Sequence, residues 1–508
     1  MRLDLDNLPS DVDLLHRLVR EMAADMQTRD GEIERLQLII KKLQRMQFGQ
    51  RAERLDPDQL ALALEDLDSD IGRLREKQPV PGPASARPSR REKFPDHLPR
   101  EDIRHDADST VCPCCGGALH AIGESVSEML DWVPAQFRVI RITRPKYACR
   151  CCESVVQQPA PERPIAGGMA TTALLAHILI SKYCDHLPLY RQSQIFARYG
   201  VDLARSTLAD WVGGACWWLE ALYDRISRNL LASHYLFADD TSVPVLDPGR
   251  GRTKTGRLWV YVRDQRPWDG PDPPIAIYIF APDRKAERPK EHLATFTGVI
   301  HVDGYAGFEQ VAARDGVTLA TCWAHTRRKF YDVEKATGSP IAAEALRRIR
   351  ALYAIEAEVR GQPPAHRLAH RRSFSVSIVQ GLRTWLERQF DAIPASSTLA
   401  DAIRYALTRW KALSRFLHDG RIDMDTNPVE RAIRPITLGR KNHLFAGSDG
   451  GAQRWAIVRS LVETARLNDV EPYAWLRDVL QRMVDGHPVN RLDELMPWAW
   501  KDENSVKS

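Results

Sequence analysis

Between residues 235 and 322 the chain alternates short runs of β-branched and aromatic residues with turn and helix signals. This order restricts the fold more than any other feature. Residues 235–245, 259–262 and 275–280 read as three consecutive strands, with a Gly/Pro-rich basic turn over 247–257. A short helix over 290–296 precedes a fourth strand, 299–302. A helix near 308–313 precedes a fifth, 317–322, and a basic helix over 325–335 follows.

Three strands in succession, then two separated by helices, match the strand order of a ribonuclease H-like fold. Strand order alone does not assign a function. The acidic residues at the strand ends add chemistry. Asp239 closes the apolar run Tyr235-Leu236-Phe237-Ala238, and Asp303 closes Val299-Ile300-His301-Val302. Glu430 opens a helix in Asn427-Pro428-Val429-Glu430. Two strand-borne aspartates and a helix-borne glutamate can hold a pair of divalent ions, which clamp the attacking and leaving oxygens of a phosphodiester. Carboxylate oxygens suit Mg²⁺, a hard cation.

Each residue also has a structural reading. Asp239 and Asp240 are adjacent and point to opposite faces of a strand, so one of them at most meets the site. Asp303 precedes Gly304 and can simply end its strand. Glu430 can close a capping box by bonding back to the Asn427 backbone, with Pro428 at the first helical position. The interval from Asp303 to Glu430 is 127 residues. A shared site therefore requires the helical block 336–425, which carries Arg347, Arg348, Arg350, Arg371 and Arg372, to leave the core and return.

Six of the nine cysteines fall between 112 and 152. Cys112-Pro-Cys-Cys115-Gly-Gly and Cys149-Arg-Cys-Cys152 are two C-x2-C knuckles able to set four thiolates around one structural Zn²⁺. Gly116 and Gly117 permit the tight turn, residues 137–142 read as a strand between the knuckles, and Cys114 and Cys151 are spare thiols. Cys322-x2-His325 is a weaker metal signal, since it supplies two ligands alone. His325 at a helix start, with Arg327, Arg328 and Lys329 after it, equally suits a phosphate. Arg434 shares a helix face with Glu430 and can pair with it; Arg440 and Lys441 are better placed as a phosphate clamp.

Upstream, Val12, Leu15, Val19, Met22, Met26, Ile33, Leu36, Ile40 and Leu43 keep heptad spacing, broken only by Arg29. The pattern predicts a coiled coil that joins copies of the chain, or an amphipathic helix packed on its own chain. Six prolines and several arginines over 77–100 predict an irregular basic linker. Residues 166–232 read as helices over 171–183, 189–199 and from 207 onward, the last capped by Ser206. This layout is compatible with a helix-turn-helix and with a plain helical bundle.

Composition adds little. Apolar residues make up 44% and charged ones 27% of 508 residues, and a net charge of +5 permits a nucleic-acid partner without requiring one. No apolar run approaches a membrane span, and the N-terminal residues lack the layout of a secretion signal. A cytoplasmic location is the expectation.

Five motifs carry a specific resemblance: Ala238-Asp-Asp-Thr241, Val302-Asp-Gly-Tyr-Ala-Gly307, Cys322-Trp-Ala-His-Thr-Arg-Arg-Lys-Phe330, Asn427-Pro-Val-Glu-Arg-Ala-Ile-Arg-Pro435 and Gly439-Arg-Lys-Asn-His-Leu-Phe-Ala-Gly-Ser448. With residues 48–55, the cysteine knuckles, residues 473–480 and Leu495-Met-Pro-Trp498, the chain resembles the insertion-sequence-66 family of bacterial transposases over nearly its whole length. The resemblance implies a DDE transposase that cuts element ends and joins them to target DNA. It implies Asp239, Asp303 and Glu430 as ligands of two Mg²⁺ ions, with Mn²⁺ able to substitute, and Cys112, Cys115, Cys149 and Cys152 as the set for one zinc. The family usually has Glu after the first catalytic Asp; Asp240 stands there.

The expected architecture is a multidomain α+β chain. It comprises a coiled-coil segment (1–76), a basic linker (77–105), a zinc-binding module (106–165), a helical DNA-binding region (166–232), a ribonuclease H-like catalytic core (233–480) with a helical insertion over 336–425, and a C-terminal tail (481–508). The implied partners are double-stranded DNA (terminal inverted repeats and target), further copies of the chain joined through residues 12–43, and accessory proteins of the same element. When DNA-bound, the chain would sit on the bacterial nucleoid. The alternatives are a nuclease without strand transfer and a catalytically silent zinc DNA-binding protein derived from a transposase.

Overall fold

The computed structural model describes residues 94–505 apart from 95, 97, 108–109, 113, 134–135, 248–251 and 444. The expected coiled coil and most of the basic linker lie outside the described residues.

The first sheet holds β1 (Arg100–Arg104), β2 (Leu119–Val133), β3 (Gln136–Cys149) and β4 (Val155–Gln157). Its order is β1-β3-β2, with β4 also on β3. β2 and β3 form a long antiparallel hairpin that runs from Val133↔Gln136 back to Leu119↔Cys149, with a bulge between Ala121 and Gly123. That hairpin explains the wide gap between the knuckles, because folding back returns Cys149 to the start of β2, just after Cys115. β1 lies inside the stretch expected to be linker. Arg100 there bonds Glu128 on β2 at 3.5 Å, and β1 pairs in parallel with β3.

Three helices follow: α1 (Thr172–Tyr183), α2 (Leu189–Arg198) and α3 (Arg205–Leu231). The Thr171 side chain caps α1 by accepting from the Leu174 amide. Gly200, at φ +77°, ends the turn after α2. The expected Ser206 cap is not used: α3 begins at Arg205, behind Ala204. α1 and α3 share one continuous core with both sheets, from Leu130 and Val139 through Leu174 and Leu219 to Val260 and Tyr278. Tyr223 of α3 donates to the Tyr278 carbonyl at 2.9 Å.

The second sheet contains β5 (Tyr235–Leu246), β6 (Thr253–Arg263), β7 (Ile275–Ala281), β8 (Gly298–Val302) and β9 (Val317–Thr321). Its order is β7-β6-β5-β8-β9. β5, β6 and β7 form an antiparallel meander, while β8 runs parallel to both β5 and β9. Short helices α4 (Glu287–His292) and α5 (Gly307–Ala312) supply the crossovers. Every expected strand is present, four of them within one residue of the expected bounds, while β6 starts six residues earlier than its apolar run.

The chain then leaves through α6 (Trp323–Thr337), α7 (Pro340–Glu358), α8 (Pro364–Ala392), α9 (Thr398–Thr408) and α10 (Trp410–Leu413). These helices build a core of their own around Trp323, Ile349, Leu382, Ile403 and Trp410. The buried Arg371 closes it, reaching both Glu356 oxygens at 2.6 and 2.7 Å and the carbonyls of Phe416 and Asp419.

The chain returns as α11 (Asn427–His443), α12 (Asp449–Leu467), α13 (Pro472–Val484) and α14 (Pro497–Ser505). α12 covers the outer edge of β7. Ser460 accepts from the Tyr278 amide at 2.8 Å, and Thr464 bonds both the amide and the carbonyl of Ala276. Hydroxyls thus occupy backbone groups that an open edge would offer to another strand. Residues 481–508 were expected to be a tail, yet Leu492, Leu495 and Met496 are buried in the common core and Trp475 donates to the Leu495 carbonyl.

Replacing Arg371 by Met leaves the half-buried Glu356 carboxylate with Arg367 alone, at 3.5 Å, and should destabilise the insertion by about 3 kcal/mol, with partial recovery in Arg371→Met/Glu356→Leu. Denaturant unfolding of the three proteins measures both effects.

Candidate active site and zinc module

The parallel pairing of β5 with β8 fixes the aspartates. Its register runs Tyr235↔Val299, Leu236↔Ile300 and Phe237↔His301. Carried on by two residues, it sets Asp239 against Asp303. Strand alternation puts both on the face where Phe237 stacks on His301, with ring centroids 5.5 Å apart.

Asp240 points to the other face and is fully engaged there. Its carboxylate is 1% exposed and lies 2.9 Å from Arg257 and 2.8 Å from Arg284. Asp239 has no such cation among the described residues; its carboxylate accepts the Asp240 amide at 2.7 Å. Burial, then the nearby Asp303 charge, push the Asp239 carboxyl up to about 7, with Asp240 and Glu430 adding to the rise and the Asp240 amide opposing it.

Asp303 sits in a braced turn. Its carboxylate accepts the Tyr305 amide at 2.9 Å, and its carbonyl accepts the Tyr405 hydroxyl at 2.6 Å. Gly304 has φ +100°, and a Cβ there would meet Arg409 Nε at 2.6 Å. Arg409 itself lies over the Tyr405 ring and donates to the Gly304 carbonyl. The insertion thus reaches back through α9 to hold the second aspartate.

Glu430 arrives by a seam between the two ends of the insertion. The Trp323 amide donates to the Met424 carbonyl at 2.8 Å, and the Thr426 amide to Cys322 Sγ at 3.3 Å. Glu430 does not form the capping box that its spacing allowed. The Asn427 amide is taken by Asp425 at 3.1 Å, and Glu430 Oε1 accepts the Thr426 hydroxyl at 3.1 Å. Val429, Ala432 and Ile436 bury the opposite face of α11 in the core, leaving the Glu430 side chain 42% exposed.

The donor atoms of Asp239, Asp303 and Glu430 do not all lie within 4.8 Å of one another. Among the described residues the sets that do are the four cysteines and Cys322–His325–Glu430. Two ions about 3.5–4 Å apart need a wider cage than one ion does. Half-buried carboxylates, two of them outside any ion pair among the described residues, are hard oxygen donors that fit such a pair.

The basic residues divide by environment. Arg327, Arg328, Lys329 and Arg434 are exposed, on α6 and α11. Arg440 donates to the carbonyl and hydroxyl of Ser242 at 2.7 and 2.8 Å, which ties α11 to β5 and commits part of its donor set. Lys441 follows on the same helix. His325 opens α6 with Nδ1 3.9 Å from Glu430 Oε1. Arg257, Arg284, Tyr405, Arg409 and Thr426 escaped sequence reading. Alternation placed Asp240 on the second face, but its partners depend on the sheet register and the α4 approach.

In the zinc module the four cysteines converge. Cys112–Cys152 and Cys115–Cys149 sulfurs are each 3.4 Å apart, and all four donors lie within 4.8 Å of one another. Gly116, at φ +71°, turns the first knuckle and donates to the Cys112 carbonyl. A Cβ on Gly117 would press on the Cys151, Cys115 and Cys149 sulfurs at 3.1–3.5 Å, so glycine keeps the cluster compact. The Ser154 hydroxyl and then its amide lower the Cys152 thiol to about 6, whereas at Cys115 the lowering by the Gly117 amide is outweighed by the Cys149 and Cys152 sulfurs, which raise it to about 12.

Known proteins place this architecture. A family model described as "Transposase IS66 family" matches residues 167–454, "zinc-finger binding domain of transposase IS66" matches 109–153, and "IS66 C-terminal element" matches 460–498. A further family model, "Transposase C of IS166 homeodomain", matches 35–103. The chain belongs to the IS66 family of transposases. Among its relatives in Sinorhizobium fredii, the uncharacterized protein y4jD is 44% identical, with 99% of this chain and 98% of y4jD aligned. The uncharacterized protein y4qI is 40% identical over 99% of each chain, and y4hP 41% identical over 92% of this chain and 88% of its own length. No described helix is long and apolar enough to cross a membrane.

The two adjacent aspartates should behave oppositely. Folded Asp239 holds a proton that the unfolded carboxyl, at its ordinary value of 3.8, has released, so stability without divalent metal falls as pH rises from about 4 to about 7. Asp239→Asn removes that loss and should raise the melting temperature at pH 8 while changing little at pH 4. Asp240→Asn leaves Arg257 and Arg284 short of their counter-charge and should cost about 1–3 kcal/mol. Melts of metal-free protein at both pH values test the pair, and a large stability loss in Asp239→Asn at pH 8 would reverse the assignment.

Proposed function

We propose that the chain is an active DDE transposase with a ribonuclease H-like core, which cleaves the ends of an insertion sequence and joins them to target DNA. The observation that carries this reading is the β5–β8 register: it sets Asp239 against Asp303, neither of them in an ion pair among the described residues, while Asp240 is paired with Arg257 and Arg284 on the other face.

Asp239, Asp303 and Glu430 are the residues that would hold two Mg²⁺ ions, or Mn²⁺ in their place. When bound, such ions activate water or a DNA 3′-hydroxyl and offset charge on the phosphorus during in-line displacement. No side chain of the protein attacks. Asp240, with Arg257 and Arg284, stiffens β5 beneath the site. Tyr405 and Arg409 fix the Asp303 turn, so the insertion acts as a brace. The exposed Arg327, Arg328, Lys329 and Arg434, with His325, Lys441 and the uncommitted part of Arg440, are the groups for DNA phosphates.

In this reading the four-cysteine cluster holds one structural zinc, residues 166–232 contribute to DNA binding, and residues 12–43 join copies of the chain. Accessory proteins of the same element would act with it, and its place is the bacterial cytoplasm, on the nucleoid.

Strand transfer with purified protein, Mg²⁺ and DNA carrying the element's ends tests the reading. Asp303→Asn should reduce joining to background while end binding stays within about twofold of the parent, because a carboxylate that holds metal contributes little to phosphate contacts. Full joining by that variant would sink the assignment.

A further inference from the structure

Glu430 stands near two groups of side chains, and its charge is felt at Asp239. One is the aspartate pair. The other is Cys322 and His325, whose donor atoms, with a Glu430 oxygen, all lie within 4.8 Å of one another, as do the four sulfurs of the zinc module.

Local structure explains the convergence. Cys322 immediately precedes α6 and His325 lies in its first turn, which gives the C-x2-H spacing. Glu430 lies in the first turn of α11. Thr426 braces two of the three ligands: its amide donates to Cys322 Sγ at 3.3 Å and its hydroxyl to Glu430 Oε1 at 3.1 Å. His325 Nδ1 is buried and has no hydrogen-bond partner, although it stands 3.9 Å from Glu430 Oε1. The sulfur is buried, whereas the His325 and Glu430 side chains are 34% and 42% exposed, so the cluster opens to solvent on one side.

A thiolate, an imidazole and a carboxylate with an open fourth position are a ligand set for zinc. Bonds of about 2.0–2.3 Å would draw the three donors together by roughly an ångström. The same set is wrong for Mg²⁺, which prefers hard oxygen donors and octahedral geometry.

We propose that Cys322, His325 and Glu430 form a second metal site, selective for Zn²⁺ over Mg²⁺, and that zinc bound there withdraws Glu430 from the aspartates and suppresses catalysis. The suppression rests on the reading of Glu430 as a Mg²⁺ ligand; the binding of zinc does not. A plain His325–Glu430 ion pair would leave Cys322 with no part in metal binding, which separates the two accounts.

Zinc bound per chain, measured on the full-length protein after equilibrium dialysis against micromolar zinc, is the primary test. The expected count is about two for the parent, and about one for both Cys322→Ala and His325→Gln, since the four-cysteine cluster keeps its own ion. A parent count near one, or a second equivalent kept by both variants, overturns the site. Using two variants separates ligand loss from a folding defect in either. In Mg²⁺-supported cleavage of end-bearing DNA, added zinc should inhibit the parent at least tenfold more than Cys322→Ala. Equal inhibition of the two overturns the suppression even where the zinc counts agree. Failure of the parent to cleave DNA at all would count against the proposed function, and the zinc counts alone would then decide the site.

Discussion

The parallel pairing of β5 with β8 is the interaction on which the candidate site depends. It spans three residue pairs before β5 continues alone beside β6. A parallel pair needs a crossover, and here β6, β7 and α4 lie between the two strands and fill it. The register then determines everything downstream. A slip by one residue would turn Asp239 towards the face of Arg257 and Arg284, and leave Asp240 opposite Asp303. The two arginines make that slip costly, because they reward one register with a buried, doubly paired carboxylate. A carboxylate within β5 and another just past the end of β8 are thus held in place by a pair of ion contacts on the reverse face.

Glu430 depends on a different constraint. The helical insertion has its own core, built on Trp323, Ile349, Leu382 and Trp410, which meets the sheet through Ala320, Tyr235 and Val299. What the sheet requires is that its two ends meet. Backbone pairing of Trp323 with Met424, and the Thr426 contacts to Cys322 and Glu430, perform that closure. The insertion also repays the site directly, through Tyr405 and Arg409 on the Asp303 turn. It is an integral wall of the pocket and not an appendage.

Much of this was legible from residues alone, and the reasons are physical. Strands announce themselves through β-branched runs, and alternation already separated Asp239 from Asp240 by face. The cysteine knuckles fixed their own geometry, since four thiolates have few ways to converge. Three features were not legible. Arg100 to Arg104 looked like linker because its strand character comes from pairing with β3, not from its own side chains. Residues 481–505 looked like a tail because Leu492, Leu495 and Met496 are spaced for a 3₁₀ segment and a turn rather than for a regular helix. The Ser206 cap is not used because the helix begins two residues earlier than expected, at Arg205.

The Glu430 neighbourhood shows where local reading ends. Asn427-Pro-Val-Glu satisfies every rule for a capping box, and the C-x2-H motif by itself supplies too few ligands for a metal. Neither inference used the other segment. Once the insertion closes, Asp425 takes the Asn427 amide, which frees Glu430 from the backbone, and the same closure brings Cys322 and His325 to it. Freedom from the cap and access to a soft-metal pair are therefore one event. Two motifs over a hundred residues apart, each weak alone, become a single ligand set only through the tertiary seam at Cys322 and Thr426. Glu430 is the carboxylate that the two proposals share, so occupation of the thiol–imidazole pair would compete with the chemistry proposed at the aspartates.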